Sequence, residues 1–249
     1  MPERSQTATD LPDMQALIFD CDGVLVDTER DGHRVAFNQA FAEKGLQRFW
    51  SIEHYGELLS TAGGKERMRR DFDAFGWPVP EAERDEFIAE LHRLKTDRFM
   101  TLIRSGRLPL RTGVARIVDE AIVAGIRLAV CSTSNERAVQ AVVDVMLGPE
   151  RAPYVDVFAG DIVRSKKPDP AIYLLAAERL GLTPSRCMVI EDSNNGLRAA
   201  LGAGMHCIVT TSTYTRKEDF SGADLVIPEL GDGADVRVRL SDLRALCGG

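Results

Sequence analysis

Ala16-Leu-Ile-Phe-Asp20-Cys21-Asp22-Gly23-Val24-Leu25-Val26-Asp27-Thr28 is the stretch that decides the fold of this 249-residue chain. It begins as a short apolar run of the kind that makes a buried parallel strand, then turns abruptly to carboxylates and a glycine. Asp-Gly is a common turn pair and Asp27 suits a helix N-cap, so a plain strand-to-helix turn accounts for Gly23 and Asp27. It leaves Asp20 and Asp22 unexplained. At roughly one in twenty per position, Asp20, Asp22, Gly23, Asp27 and Thr28 would fall together by chance in such a chain with odds on the order of 10⁻⁴.

Working outward, the apolar pattern returns at 127–131, 187–191 and 206–210, with a weaker version at 224–227. Segments of helical spacing separate these runs at 113–124, 135–146, 169–180 and 194–202, several closed by Gly. Strands alternating with helices predict an α/β fold, a doubly wound parallel, Rossmann-like sheet covered on both faces. One region breaks the rhythm. From Glu29 to about Arg107 there is no strand-like run, only charged segments with apolar residues at helical spacing, such as Val35, Phe37, Ala40 and Phe41, then Phe87, Leu91, Leu94 and Phe99. This predicts an all-helical cap over 29–107, inserted into a core made of 1–28 and 108–249, with breaks near Gly45, Gly63-Gly64 and Gly76 to Pro80.

Composition narrows the function. A hydrophobic content of 44% allows a sizeable core, and a formal net charge of -7 disfavours nucleic acid or an anionic membrane as partner. The first fifteen residues are polar, and no apolar run suits a signal peptide or a membrane span. The five cysteines, at 21, 131, 187, 207 and 247, lack paired spacing, so reduced, buried thiols in a cytoplasmic protein are expected. The four histidines, at 33, 54, 92 and 206, have no metal-ligand spacing either, which speaks against a transition-metal enzyme.

Ligands of a parallel α/β sheet bind outside the carboxyl ends of its strands, so the residues ending each apolar run should share one crevice. Those ends are Asp20 and Asp22, the hydroxyl run Ser132-Thr133-Ser134, the pair Lys167-Pro168, and Glu191-Asp192. Carboxylates, one lysine and hydroxyls beside free backbone N–H groups suit phosphoryl transfer. Asp20 and Asp192 offer hard oxygen ligands for Mg²⁺, which offsets repulsion between an anionic nucleophile and an anionic phosphate. Lys167 would neutralise Asp20 and a phosphate oxygen, with Ser132 and neighbouring amides on the remaining oxygens. Asp22, two residues beyond Asp20, can protonate a leaving oxygen and later activate water.

The segments DCDGVLVDTE, CSTSN, KKPDP and VIEDSNNG resemble, in order, the four motifs of the haloacid dehalogenase-like hydrolases, over nearly the whole chain. The helical insert resembles the cap of the branch containing β-phosphoglucomutase and phosphoglycolate phosphatase. The resemblance implies a phosphoaspartate on Asp20, acid/base work by Asp22, phosphate binding by Ser132 and Lys167, and a Mg²⁺ site made of Asp20, the Asp22 carbonyl and Asp192. Glu191 is either a further metal ligand or an orienting group. Thr133, Ser134 and Asn135 fall in the phosphate-binding motif.

Selectivity is expected from the cap. In Thr61-Ala-Gly-Gly-Lys-Glu-Arg-Met68, Gly63 and Gly64 permit close approach, and Lys65 and Arg67 could take a second anionic group, although a charged helix after a Gly-Gly break is commonly a solvated face. Together with DTERDGHRVAFN, this segment resembles phosphatases of xylulose 1,5-bisphosphate, a misfire product that inhibits Rubisco. The resemblance implies a small sugar bisphosphate as partner and a functional link to Rubisco that needs no direct contact. It also implies Lys65 on the distal phosphate. Glu29 and His33 are candidates for sugar hydroxyls, Arg111 is a candidate anion contact, and Arg69-Arg70 is expected at the surface. A sugar-phosphate mutase and a phosphoglycolate phosphatase are the rival readings.

Overall fold

The computed structural model describes residues 14–61 and 63–248. Most of the polar lead considered above, and Ala62 of the cap segment, lie outside them. Among the described residues, six strands form one parallel sheet: β1 (Ala16–Phe19), β2 (Arg127–Ser132), β3 (Val155–Ala159), β4 (Cys187–Glu191), β5 (His206–Thr210) and β6 (Leu225–Ile227). Their order is β3-β2-β1-β4-β5-β6. The connection reverses direction between β1 and β4, so the crevice at the carboxyl end of that pair is where a doubly wound sheet binds ligands. Ile18 pairs with Ala129 on one side and Val189 on the other, and this register brings Asp20 level with the end of β4.

Residues alternate between the two faces. Leu17, Phe19, Leu128, Val130, Met188 and Ile190 join one apolar cluster, beneath α5 (Val114–Val123), α6 (Glu136–Val142) and α9 (Leu240–Cys247). Ala16, Ile18, Ala129, Cys131, Val189 and Cys207 join another, beneath α7 (Ala171–Leu180) and α8 (Asn194–Gly202). Burying each of the larger side chains contributes about 2 kcal/mol, which explains why the central strands are apolar on both faces. All five cysteines are buried and unpaired.

The insert is helical among its described residues. After a wide turn of helix at Thr28–His33 come α1 (Arg34–Glu43), α2 (Ile52–Leu58), α3 (Gly64–Phe75) and α4 (Arg84–Arg104). They enclose a third cluster around Phe37, Phe41, Trp50, Tyr55, Phe72 and Leu91. The far end of α4, through Phe99 and Ile103, and the start of α1, through Ala36, join the core cluster. Strand β3 has no counterpart among the apolar runs expected from sequence. It lies at the sheet edge, where Val155 and Val157 are half-buried and Asp156 is exposed, so nothing demands a continuous apolar run. No helix among the described residues is long and apolar enough to cross a membrane.

Candidate active site

The Asp20 N–H donates to the Ile190 carbonyl at 2.9 Å, which continues the sheet register just beyond β1 and fixes the carboxylate at the crevice. Asp20 Oδ1 accepts from Lys167 Nζ at 2.6 Å. The same ammonium donates to Glu191 Oε1 at 2.6 Å and to the Cys131 carbonyl at 3.0 Å, so its three protons are all engaged. Glu191 is only 1% exposed. Tyr173 donates to its Oε1 at 2.5 Å, and the Asp192 N–H donates to its Oε2 at 3.1 Å. With both oxygens held by protein donors, Glu191 orients Lys167 and the Asp192 backbone.

Asp20, Glu191 and Asp192 each place a carboxylate oxygen within 4.8 Å of the other two, all buried. One lysine cannot balance three such charges. Burial raises the Asp20 pKa to about 7 against the attraction of Lys167, with Glu191 and Asp22 adding to the rise. Asp192 is likewise pushed well above the usual carboxylate range by burial, and then by the charges of Glu191 and Asp20. Burial opposes the Lys167 charge, but Asp20 and Glu191 outweigh it and push that pKa up. A cluster of hard oxygen donors with excess negative charge fits a divalent cation such as Mg²⁺, and Asp20 and Asp192 are the carboxylates left to hold it. Gly23 makes the approach of Asp192 possible: at φ +88° it adopts a left-handed conformation, and a Cβ there would lie 2.1 Å from Asp192 Oδ2.

Asp22 stands apart from that cluster. Its Oδ1 accepts from the buried Thr28 hydroxyl at 2.6 Å and its Oδ2 accepts from the Ser134 hydroxyl, so both oxygens are aimed by neighbours. Ser132 is buried at the end of β2, where its hydroxyl accepts from the Ser134 N–H at 3.1 Å. Thr133 and Asn135 are exposed in the turn before α6.

On the cap side, Glu29 accepts from the Tyr55 hydroxyl at 2.5 Å and lies 3.7 Å from Arg67. Burial raises its pKa, opposed by Arg67. Arg67 also donates to the Thr61 carbonyl and to Tyr55, so it is turned into the cap. Gly63 and Gly64 open α3, and Lys65 behind them is exposed and outside both clefts described below. Arg69 pairs with Asp85 and Arg70 caps the 57–61 turn, both at the surface. His33 stacks on Phe99 with ring centres 3.9 Å apart, and burial, then Lys95, holds its pKa well below the usual value.

Lys95 of α4 also faces this site. It is 8% exposed, its Nζ is 2.9 Å from His33 Nδ1, and no carboxylate among the described residues lies within ion-pair distance. Burial lowers its pKa to about 8. The signal was legible: Ile88, Leu91, Lys95 and Phe99 follow helical spacing on the buried stripe of α4, and a lysine there calls for a reason. Arg111 corrects an expectation. Its guanidinium bonds the carbonyls of Gly23, Thr210, Thr211 and Pro228, tying the nucleophile loop to the end of β5, and it does not reach for an anion.

Two clefts open on Asp22. A larger one, about 1170 Å³, runs between α4 and α6 and is lined by His33, His92, Lys95, Ser134, Asn135 and Arg137. A smaller one, about 330 Å³, is lined by Asp22, Glu29, Asp192, Ser212 and Tyr214.

Residues 14–204 match the haloacid dehalogenase-like hydrolase family. The chain belongs to this family. It is 56% identical over 248 residues to a CBBY-like protein of Arabidopsis thaliana, covering 98% of this chain and 76% of that relative. It is 45% identical over 221 residues to protein CbbY of Cereibacter sphaeroides, covering 88% and 94%. The crystal structure of a CbbY mutant from Rhodobacter sphaeroides in complex with xylulose-(1,5)bisphosphate is similar at a TM-score of 0.73 and 42% identity, covering 92% of this chain and 99% of that one. As a member of this hydrolase family, the chain is an enzyme.

Proposed function

We propose that this hydrolase is a Mg²⁺-dependent sugar-phosphate phosphatase that removes the C1 phosphate of xylulose 1,5-bisphosphate and leaves xylulose 5-phosphate. The observation that carries the chemistry is Asp20 held at 2.6 Å by Lys167, beside Asp192 and below an Asp22 whose two oxygens are aimed by Thr28 and Ser134. An Asp20 oxygen attacks phosphorus, the bond from phosphorus to the sugar oxygen breaks, and Asp22 delivers its proton to that leaving oxygen. Asp22 then takes a proton from water, the hydroxyl oxygen attacks phosphorus, and the bond to Asp20 breaks to free inorganic phosphate. Mg²⁺, held by Asp20 and Asp192, would supply charge neutralisation at the phosphoryl oxygens. Ser132 and the 132–134 amides, with Lys167, bind those oxygens through the transfer.

Support for the substrate comes from the similarity to a CbbY structure with xylulose-(1,5)bisphosphate and from the cation placement. The distal phosphate belongs in the larger cleft, on Lys95, rather than on the exposed Lys65. Such an activity would serve Rubisco by clearing an inhibitor, with no contact between the two proteins. The test is phosphate release from xylulose 1,5-bisphosphate with Mg²⁺ and with a chelator, the sugar product being identified by NMR. Mg²⁺-dependent release of the C1 phosphate is expected, and Asp20→Asn should lower kcat by about 10³-fold or more. An isomerised sugar phosphate with no free phosphate would replace this reading by a mutase. Undiminished turnover by Asp20→Asn would remove the nucleophile.

A further inference from the structure

The cap encloses its own apolar cluster, and among the described residues every side chain of that cluster comes from residues 37–94 except one, Tyr214, from the loop after β5. The Tyr214 ring lies 5.9 Å from the Tyr55 ring in an edge-on arrangement. It also lies against Gly56 of α2, where a Cβ would sit 3.1 Å from two ring carbons. Glycine inside a helix weakens it, so Gly56 in so short a helix has its reason in this contact. The Tyr214 hydroxyl is buried without a hydrogen-bond partner among the described residues, which marks the ring as the part that matters.

The neighbours of Tyr214 tie the same loop to the site. Ser212 lines the smaller cleft together with Asp192. Thr213 donates to Asp27 at 2.5 Å, and Asp27 caps the helical turn through which the chain enters the cap. Thr215 closes the loop on Ser212, with Ser212 N–H to Thr215 Oγ1 at 2.9 Å. Three consecutive residues therefore line the cleft beside Asp192, bond the cap entrance and enter the cap interior.

We propose that Tyr214 is a positioning residue: its ring, seated against Gly56 and Tyr55, latches the helical cap over Asp22 and holds the two clefts in register. The cap joins the sheet by two chain crossings, one after Thr28 and one between Arg104 and Val114, an arrangement that turns as a hinge unless something outside the linkers holds it. The packing of α4 on the core through Phe99 and Ile103 is one hold, and Tyr214 supplies the other, at the far side of the cap entrance, on α2.

The experiment measures the distance from cap to core with spin labels on Glu53→Cys and Lys217→Cys, both exposed; the five native cysteines are buried. Tyr214→Ala should lengthen and broaden the distribution, and Tyr214→Phe should leave it as in the parent. Gly56→Ala, which crowds the ring, should shift it towards that of Tyr214→Ala. Adding Gly56→Ala to Tyr214→Ala should produce no further shift, because no ring remains to be crowded. A distribution unchanged by Tyr214→Ala, or a Gly56→Ala shift that persists beside Ala at 214, overturns the latch. If Tyr214→Ala does not fold, the comparison of Gly56→Ala with Tyr214→Phe still decides. The second readout is kinetic and rests on the phosphatase reading: KM for xylulose 1,5-bisphosphate should rise about fivefold on loss of the ring contact, with kcat within about twofold. Absence of turnover in the parent would count against that reading alone, since the distance measurement needs no substrate.

Discussion

Two lysines reach the site from opposite sides and differ in what answers their charge. Lys167, from the core, lies 2.6 Å from both Asp20 and Glu191, and the pull of these carboxylates overcomes burial to raise its pKa. Lys95, from the cap, faces the imidazole of His33 at 2.9 Å and the rings of Phe37 and Phe99 at 5.0 and 5.3 Å, and burial lowers its pKa to about 8. A buried cation without a carboxylate is costly, and an anion arriving in the cleft removes that cost. The core set is electrostatically complete within the protein apart from its cation, whereas on the proposed function the cap set is completed by the substrate.

The largest effect should come from breaking the core side. Lys167→Met leaves Asp20 and Glu191 buried together with no counter-charge, and should destabilise the fold by about 3 to 5 kcal/mol in denaturant melts. It should also lower kcat by about 10³-fold or more, because the ammonium no longer steadies the nucleophile and the phosphoryl oxygens. A Lys167→Met protein as stable as the parent would show that the two carboxylates do not depend on it. On the cap side the signs separate. Lys95→Met removes a charge the fold does not neutralise, so stability should hold or rise, while KM for a sugar bisphosphate should rise about tenfold or more on loss of a charge-assisted contact. KM for a sugar monophosphate should change by less than about twofold. Equal losses for both substrates would place Lys95 on the transferred phosphate and break the contrast.

The same contrast explains what could be read from sequence. The strands β1, β2, β4 and β5 lie between two helical layers, so burial on both faces wrote near-continuous apolar runs into the chain, and the residues ending those runs were fixed at the crevice by topology. Asp20, Asp22, Ser132 and Glu191-Asp192 were legible for that reason, whereas Lys167, which ends no such run, was legible through the KKPDP segment. Tyr55, Tyr173 and Tyr214 sit within helices or a loop, where only tertiary packing decides what a side chain meets, and for Lys95 helical spacing gives the burial but not the partner. Arg111 shows the converse: an arginine in a linker looks the same in sequence whether it faces an anion or four carbonyls.

The smallest effect sharpens the comparison through pH. Lys95 has a folded pKa of about 8 against an ordinary value of 10.5, lowered by burial. The unfolded chain therefore holds more protons than the folded one between these two values, and stability gains with rising pH across that window. Below about 8 both states are charged, and the penalty of burying the ammonium is present in full. Subtracting the behaviour of Lys95→Met isolates this group from other lysines and tyrosines that titrate nearby. The stability of the parent relative to Lys95→Met should climb by about 1 kcal/mol per pH unit between pH 8 and 10, the slope for release of one proton. Saturating inorganic phosphate should flatten that slope, since an anion on Lys95 restores its proton and raises its pKa. A slope that is absent without phosphate would mean that Lys95 is solvated in the free enzyme, and the asymmetry between the two lysines would then lie in the bound state alone.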